Sequence, residues 1–234
     1  FSRRQRQMCI RDRSSGVVNS TTAVATTGDN GNYNGIVVDS NDNVHIVYYR
    51  EDNANLMYST NASGSWQTTT VESSNNVGKY CNLAIDGNDG LHISYQYNSG
   101  NALKYAYKSA SSSSWTKTTV DNTGGKYTSI ATDSNNNPHI AYRDSGGDLG
   151  YATKTSGGSW NYGTVQSAGD VAFTSIVVDA DDHIHVAYYD ANNKNVYHLT
   201  NTSGSWARTS IENNIGANTG GTALDIAIDP TTDE

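Results

Sequence analysis

The chain has 234 residues and 25.1 kDa, with 22 glycines, two prolines, 16% charged residues and a formal charge of −8. That length suits one sizeable all-β unit or two small domains, and the abundance of Ser, Thr, Asn, Gly and Tyr points to many short strands joined by turns rather than to helices. No apolar run approaches the roughly 20 residues that span a bilayer.

Residues 1–13 (FSRRQRQMCIRDR) stand apart, holding five of the eight arginines and none of the strand pattern that follows. Their string QRQMCIRDR resembles translated sequencing-adapter sequence, which occurs at the ends of metagenomic gene fragments, so they are set aside as non-native. The alternative is a basic arm for nucleic acid or anionic lipid. Without these five arginines and one aspartate the formal charge moves from −8 to −12, an acidic body that argues against a phosphate backbone as partner. Cys9 lies in this string and Cys81 stands alone, which leaves no disulfide framework and no thiolate cluster for a metal.

The rest of the chain repeats. Asp39, Asp86, Asp133 and Asp179, at intervals of 47, 47 and 46, each precede a histidine by six residues: His45, His92, His139 and His185. Trp66, Trp115, Trp160 and Trp206 follow, each with an aliphatic five residues later (Val71, Val120, Val165, Ile211). One period holds four predicted strands, GIVVD from Gly35, VHIVYY from Val44, LMYST from Leu56 and SWQTTTV from Ser65, separated by the turn clusters SNDN, EDNAN and NASG. Four strands per period of about 47 residues is a propeller-blade pattern. Consecutive Val, Ile and Tyr fit blades covered on both faces, which must stack to bury them.

The predicted fold is therefore an all-β propeller arc of four-stranded antiparallel blades, at about 33–71, 80–120, 127–165 and 173–211. Partial blades are expected at 14–24, where Val24 precedes Asp39 by 15 residues as Val71 precedes Asp86, and at 222–234, where LDIAID ends on Asp229. The expectation is a fragment of a parent with at least five blades, whose isolated arc exposes sheet edges and invites self-association.

The pattern I-x-x-D, H-I-x-Y, L-x-Y, G-S-W, T-V is carried by Ile130, Asp133, His139, Ile140, Tyr142, Leu149, Tyr151, Gly158, Ser159, Trp160, Thr164 and Val165, with matching positions in the other repeats. It resembles the propeller repeats of secreted bacterial and archaeal proteins often labelled sialidase-like, over about residues 14–234. The resemblance implies the fold and an extracellular or cell-surface location, but propellers host unrelated activities. A sialidase-type Asp box is missing, since the turn Ser63-Gly64-Ser65 carries no aspartate. Three arginines converging on a substrate carboxylate are also not expected: only Arg50, Arg143 and Arg208 remain, with Arg50 and Arg143 on opposite sheet faces and Arg208 on an outer strand.

Because every blade repeats the Asp–His pair, it reads as a hairpin cap rather than a catalytic couple. The hairpins DSNDN, DGNDG, DSNNN and DADDH partly match a D-x-[DN]-x-[DN] calcium loop, but lack its later Glu and matching Gly, so no cofactor is expected and calcium is the one ion to test. Loops joining second to third strands, and outer strands to the next blade, share the face around the channel. Blade-specific residues fall there: Tyr49, Arg50, Gln96, Tyr97, Arg143, Asp144, Tyr189 and Asp190. An aromatic also recurs six residues before each repeat aspartate, at Tyr33, Tyr80, Tyr127 and Phe173. Aromatic faces beside amides and charges suit sugar rings or peptide backbones, while the recurrent set could equally fill gaps between blades. His198 replaces the tyrosines found at 58, 105 and 151. These features together predict a non-catalytic, exported module binding glycan or protein. The alternatives are a fragment of a polysaccharide-degrading enzyme, recognisable by two carboxylates in one cleft, or a structural spacer.

Overall fold

The structure, a computed structural model, describes residues 23–25, 28–214 and 224–229. Sixteen strands form four antiparallel sheets, each with its strands in sequence order. Blade 1 comprises β1 (Asn30–Val38), β2 (Val44–Arg50), β3 (Asn55–Thr60) and β4 (Gln67–Glu72). Blade 2 comprises β5 (Val77–Ile85), β6 (Leu91–Tyr97), β7 (Ala102–Lys108) and β8 (Thr116–Asp121). In blade 3 these are β9 (Lys126–Thr132), β10 (Pro138–Arg143), β11 (Leu149–Thr153) and β12 (Asn161–Gln166), and in blade 4 β13 (Val171–Val178), β14 (Ile184–Asp190), β15 (Asn195–Thr200) and β16 (Ala207–Glu212). Among the described residues no helix is long and apolar enough to cross a membrane.

The first strands β1, β5, β9 and β13 lie side by side, so each is the inner strand of its blade; β4, β8 and β12 expose most of their length as outer strands. The four sheets make an open arc. Its core is not one centre but three layers, one at each blade junction. Val47, Leu56 and Val71 of blade 1 meet Leu83, Ile93 and Tyr95 of blade 2; Leu103 and Val120 meet Ile130, Ile140 and Tyr142; Ala141 and Leu149 meet Ile176, Val186 and Tyr188. This explains the missing polar–apolar alternation, since a second strand such as LHISYQY is buried at six of its seven positions by blades on both sides.

The repeat aspartate closes the first hairpin of every blade. Asp86 Oδ1 accepts the Asn88 and Gly90 amides, both at 2.8 Å, and its Oδ2 accepts His92 Nε2 at 3.0 Å. Asp39, Asp133 and Asp179 accept the matching amides. Three residues beyond each aspartate, Asp42, Asp89, Asn136 and Asp182 hold φ of 60–64°, the left-handed region that Asn and Asp tolerate. These residues also tie blades together: Ser40 N donates to Asp89 Oδ1 at 2.9 Å, Gly87 N to Asn136 Oδ1 at 2.9 Å and Ser134 N to Asp182 Oδ1 at 2.8 Å.

Each histidine continues the chain of bonds. His45 Nδ1 lies 2.6 Å from Tyr58 Oη, His92 Nδ1 2.8 Å from Tyr105 Oη and His139 Nδ1 2.5 Å from Tyr151 Oη. Burial pushes the Tyr151 phenol up to about 12, so it remains a donor. At His45 and His92 the ring therefore accepts at Nδ1 and donates Nε2–H to the aspartate, while His139 Nε2 lies 3.2 Å from Asp133 Oδ2. On these tyrosines sit the tryptophans of the following blade, edge to face: Trp115 on Tyr58, Trp160 on Tyr105 and Trp206 on Tyr151, with centroids 4.9–5.3 Å apart. Blade 4 differs as the sequence suggests, His198 Nε2 lying 3.1 Å from His185 Nδ1.

The expected partial blade at 14–24 lies outside the described residues except for 23 and 24. Of the one at 222–234, residues 224–229 run beside blade 4. Ile226 N donates to Ser175 Oγ at 3.3 Å, as Ile130 N donates to Asn82 Oδ1 at 3.3 Å between blades 2 and 3.

Candidate functional site

The inner strands begin earlier than the sequence pattern shows; β1 starts at Asn30 rather than Gly35. The reason is a bulge. In all four blades the register against the second strand slips at the recurrent aromatic, and Tyr33, Tyr80, Tyr127 and Phe173 adopt φ of 49–53°. A left-handed aromatic is uncommon and strained by about 1–2 kcal/mol, so four successive instances require support from the neighbouring blade. Thr128 Oγ1 donates to the Tyr80 carbonyl at 2.8 Å, and Thr174 Oγ1 and Cys81 Sγ donate likewise to the Tyr127 and Tyr33 carbonyls.

The bulges turn the four rings into one row. Tyr33 and Tyr80 have centroids 4.6 Å apart, Tyr80 and Tyr127 4.7 Å, and Tyr127 and Phe173 5.2 Å, each pair tilted by 49–58°. Tyr33 is 41% exposed and the other three are half-buried. Burial and the adjoining hydroxyls of Tyr33 and Tyr127 raise the Tyr80 phenol well above its ordinary value, so Tyr80 stays an uncharged hydroxyl donor at the centre of the row. The row runs across the inner strands at the end away from the Asp hairpins.

Cys81 is thus a stand-in for threonine, and burial pushes its thiol up, out of reach of thiolate chemistry. Cys81→Thr is expected to leave the urea midpoint unchanged, whereas Cys81→Val, of similar shape without a donor, is expected to cost about 1 kcal/mol. A greater loss for Thr than for Val would contradict this role.

The structure brings part of the blade-specific set to the row. Tyr49, Gln96, Arg143 and Tyr189 pair with Asn32, Lys79, Lys126 and Ala172, the residues immediately before the row aromatics. Several are nevertheless committed elsewhere. Tyr49 is buried and donates to Asn76 Oδ1 at 2.9 Å. Gln96, fully buried, donates to Asn101 Oδ1 at 3.1 Å, and its own Oε1 has no hydrogen-bond partner. Asp190, also fully buried, accepts the Asn192 and Asn193 amides and Asn193 Nδ2, closing its hairpin. These three present no polar group to solvent. Arg50 Nε donates to Asn30 Oδ1 at 2.8 Å, and Arg143 pairs with Asp170 at 2.5 Å. Tyr97 is half-buried under Lys104 Nζ, 5.7 Å from its ring. Asp144 faces away from the row, toward β12, accepting Thr164 Oγ1 at 2.6 Å.

The Arg208 guanidinium lies 4.4 Å over the Tyr197 ring, so the three described arginines serve separate blades and form no carboxylate clamp. Among the described residues no three His, Cys, Asp or Glu side chains are grouped to hold a metal. The hairpin aspartates direct their oxygens at their own amides and histidines instead.

No protein-family model matches the chain, and no curated protein matches its sequence. Solved structures do. AofleA from Arthrobotrys oligospora aligns at TM-score 0.59 and 12% identity, over 77% of this chain and 59% of its own. A variant of the Aleuria aurantia lectin in complex with α-methyl-L-fucoside aligns at 0.57 and 16%, over 77% and 60%. The Hadza microbial sialidase Hz136 aligns at 0.57 and 10%, over 76% and 46%. The chain therefore spans less than two thirds of each, and at these identities the likeness places it among propeller folds shared by lectins and sialidases.

Proposed function

We propose that the chain is a non-catalytic, exported propeller module that binds glycan through the aromatic row of Tyr33, Tyr80, Tyr127 and Phe173. The observation that carries this reading is the strained, left-handed backbone at all four aromatics, with their rings in mutual contact. Filling a gap between blades would not require four costly conformers, whereas strain concentrates where side chains must be aimed. A pyranose offers an apolar face of C–H groups and a rim of hydroxyls. Tilted tyrosines answer with ring faces and phenolic hydroxyls, which orient a sugar without any fixed charge. The sugar-bound lectin among the structural neighbours supports the reading by analogy of fold.

Export is proposed from the composition and the resemblance to secreted repeats. Tyr189 and Arg143, which pair with the residues just before the row aromatics, are proposed to border the sugar, and Arg50, tied to Asn30 at the edge of blade 1, to lie outside it. A glycan array tests this directly: the chain is expected to retain a subset of neutral glycans saturably, with no products released and with the same result in calcium or chelator. A blank array against a folded protein would overturn it in favour of a protein ligand or a spacer. Cleaved glycans would transfer the case to an enzyme.

A further inference from the structure

Between blades 2 and 3 lies a cavity of about 370 Å³, distinct from the aromatic row and lined by Asp121, Thr123, Tyr142, Asp144, Tyr162 and Thr164 among others. The residue opposite Tyr142, one of its walls, sets this blade apart. The third strand places Met57, Lys104, Gly150 and Tyr197 at equivalent positions, each opposite the buried tyrosine of the second strand: Tyr48, Tyr95, Tyr142 and Tyr188. Only blade 3 has glycine there. The Tyr142 ring lies over it, so that a Cβ at Gly150 would lie 2.5 Å from Tyr142 Cζ, and no side chain from this position reaches the cavity that Tyr142 lines.

What belongs in that space can be read one junction earlier. Between blades 1 and 2, Glu72 holds the place of Asp121 and accepts Tyr95 Oη at 2.6 Å, as Asp121 accepts Tyr142 Oη at 2.9 Å. There Lys104 reaches in from the glycine position and ion-pairs with Glu72, its ammonium 5.9 and 5.7 Å from the Tyr95 and Tyr97 rings. Between blades 3 and 4 the acid is replaced by Gln166, and the plug is the uncharged Tyr197. A cation reaches the plug position in both, Lys104 itself in blade 2 and Arg208 over the Tyr197 ring in blade 4. Blade 3 has the acid and lacks the cation. Asp121 is present and 7% exposed, Asp144 adds a second carboxylate, and among the described residues no lysine or arginine pairs with either. A nearly buried carboxylate without a counter-ion is a costly arrangement that a cationic ligand relieves.

We propose that this cavity binds an alkylammonium group, the chemistry shared by a lysine side chain and a free aliphatic amine. Its nitrogen sits between Asp121 and Asp144, where Lys104 sits in blade 2. The stem lies against the Tyr162 ring, which is 47% exposed. Asp121 and Asp144 keep their amide and hydroxyl donors, Thr123 N at 2.8 Å on the first and Gly146 N and Asp148 N at 2.9 Å on the second, so both are already oriented.

The test is an amide-shift NMR titration of the whole chain with n-butylammonium chloride at fixed ionic strength, and with 1-butanol as the uncharged isostere. The expected result is saturable shifts around Gly150, Gly163 and Thr164, with Kd on the order of 1 mM, and no saturation with butanol. Asp121→Asn keeps shape and acceptor and is expected to weaken binding at least about tenfold, one charge–charge contact in a partly buried site. Tyr162→Ala, at an exposed position, gives a second variant should the first fold poorly, with a loss of about threefold to tenfold. Comparing Nα-acetyl-lysine methylamide with cadaverine identifies a peptide or a free amine as the source. Absence of saturation in the folded protein, equal binding of butanol, or unchanged affinity in both variants would overturn the proposal without touching the glycan reading.

Discussion

Replacing Asp86 by alanine is expected to lower stability by about 3 kcal/mol, because it leaves two backbone amides and a buried imidazole without acceptors. Asp86 and His92 are the most buried of the repeat pairs, their side chains 3% exposed, so water cannot readily replace the lost carboxylate. The equivalent change at Asp39, 11% exposed, is expected to cost less. Urea unfolding at pH 7 checks both, and a loss below about 1 kcal/mol at Asp86 would contradict the capping role. The pH dependence follows in sign. Burial alone would raise the Asp86 carboxyl, but the bonds from His92, Gly90 and Asn88 outweigh it and hold the group below its ordinary value, and similar bonds do the same at Asp39, Asp133 and Asp179. A depressed carboxylate contributes stability that is present above the unfolded value, 3.8, and lost as pH falls through the folded one. Burial lowers His139 and His198 below 6.5, so protonating them also opposes folding. The melting temperature is therefore expected to decline gently below about pH 6.5 and steeply below about pH 4, with Asp86→Ala shallower than the parent in the acid limb. A parent protein whose stability rises on acidification to pH 4 would refute this assignment.

Gly125→Ala is expected to be comparably damaging, at about 3 kcal/mol or more. Gly125 has φ of 87°, and a Cβ there would lie 2.7 Å from Leu103 Cα and 2.8 Å from Leu103 N. Both contacts are backbone, so relief requires moving β9 away from blade 2 rather than rotating a side chain. Since Gly125 stands two residues before Tyr127, the same shift is expected to loosen the aromatic row. Thermal unfolding measures the first effect. Hydrogen exchange at Tyr127 and Thr128, at least about tenfold faster for a local opening cheaper by 1.4 kcal/mol, measures the second. An alanine variant with the parent's stability would show that the inner strands tolerate separation.

Much of this arrangement is legible in the sequence because it repeats. The six-residue interval from Asp86 to His92 spans one hairpin, so the aspartate's capping role follows from turn chemistry alone. Tryptophan spacing marks the outer strands because each indole is needed once per junction, on the tyrosine of the preceding blade. Tyr80 and its equivalents are visible as a recurrence, but not the bulge beneath them, because an αL residue inside a strand depends on a hydrogen bond donated to its carbonyl from the next blade. The burial of Tyr49, Gln96 and Asp190 was hidden for a related reason: hairpin loops that look polar and variable fold their side chains back onto their own backbones. The cavity beside Gly150 was hidden too. A glycine in a strand is unremarked until the partner across the sheet, Tyr142, and the acid on the adjoining blade, Asp121, are known to meet there.

The fold and the proposed function rest on different kinds of observation. Register, junction cores and the likeness to propellers of lectins and sialidases fix the architecture. The assignment of glycan binding depends on the aromatic row alone. It is tested most directly by binding the parent, the Tyr80→Ala/Tyr127→Ala variant and Arg50→Ala to the same glycan array, with unfolding curves recorded for each. The account predicts at least a tenfold loss of affinity for the double variant, about 1.4 kcal/mol, and near-parental binding for Arg50→Ala. Equal retention of glycan by the parent and a folded double variant would contradict it and place the site elsewhere on the arc.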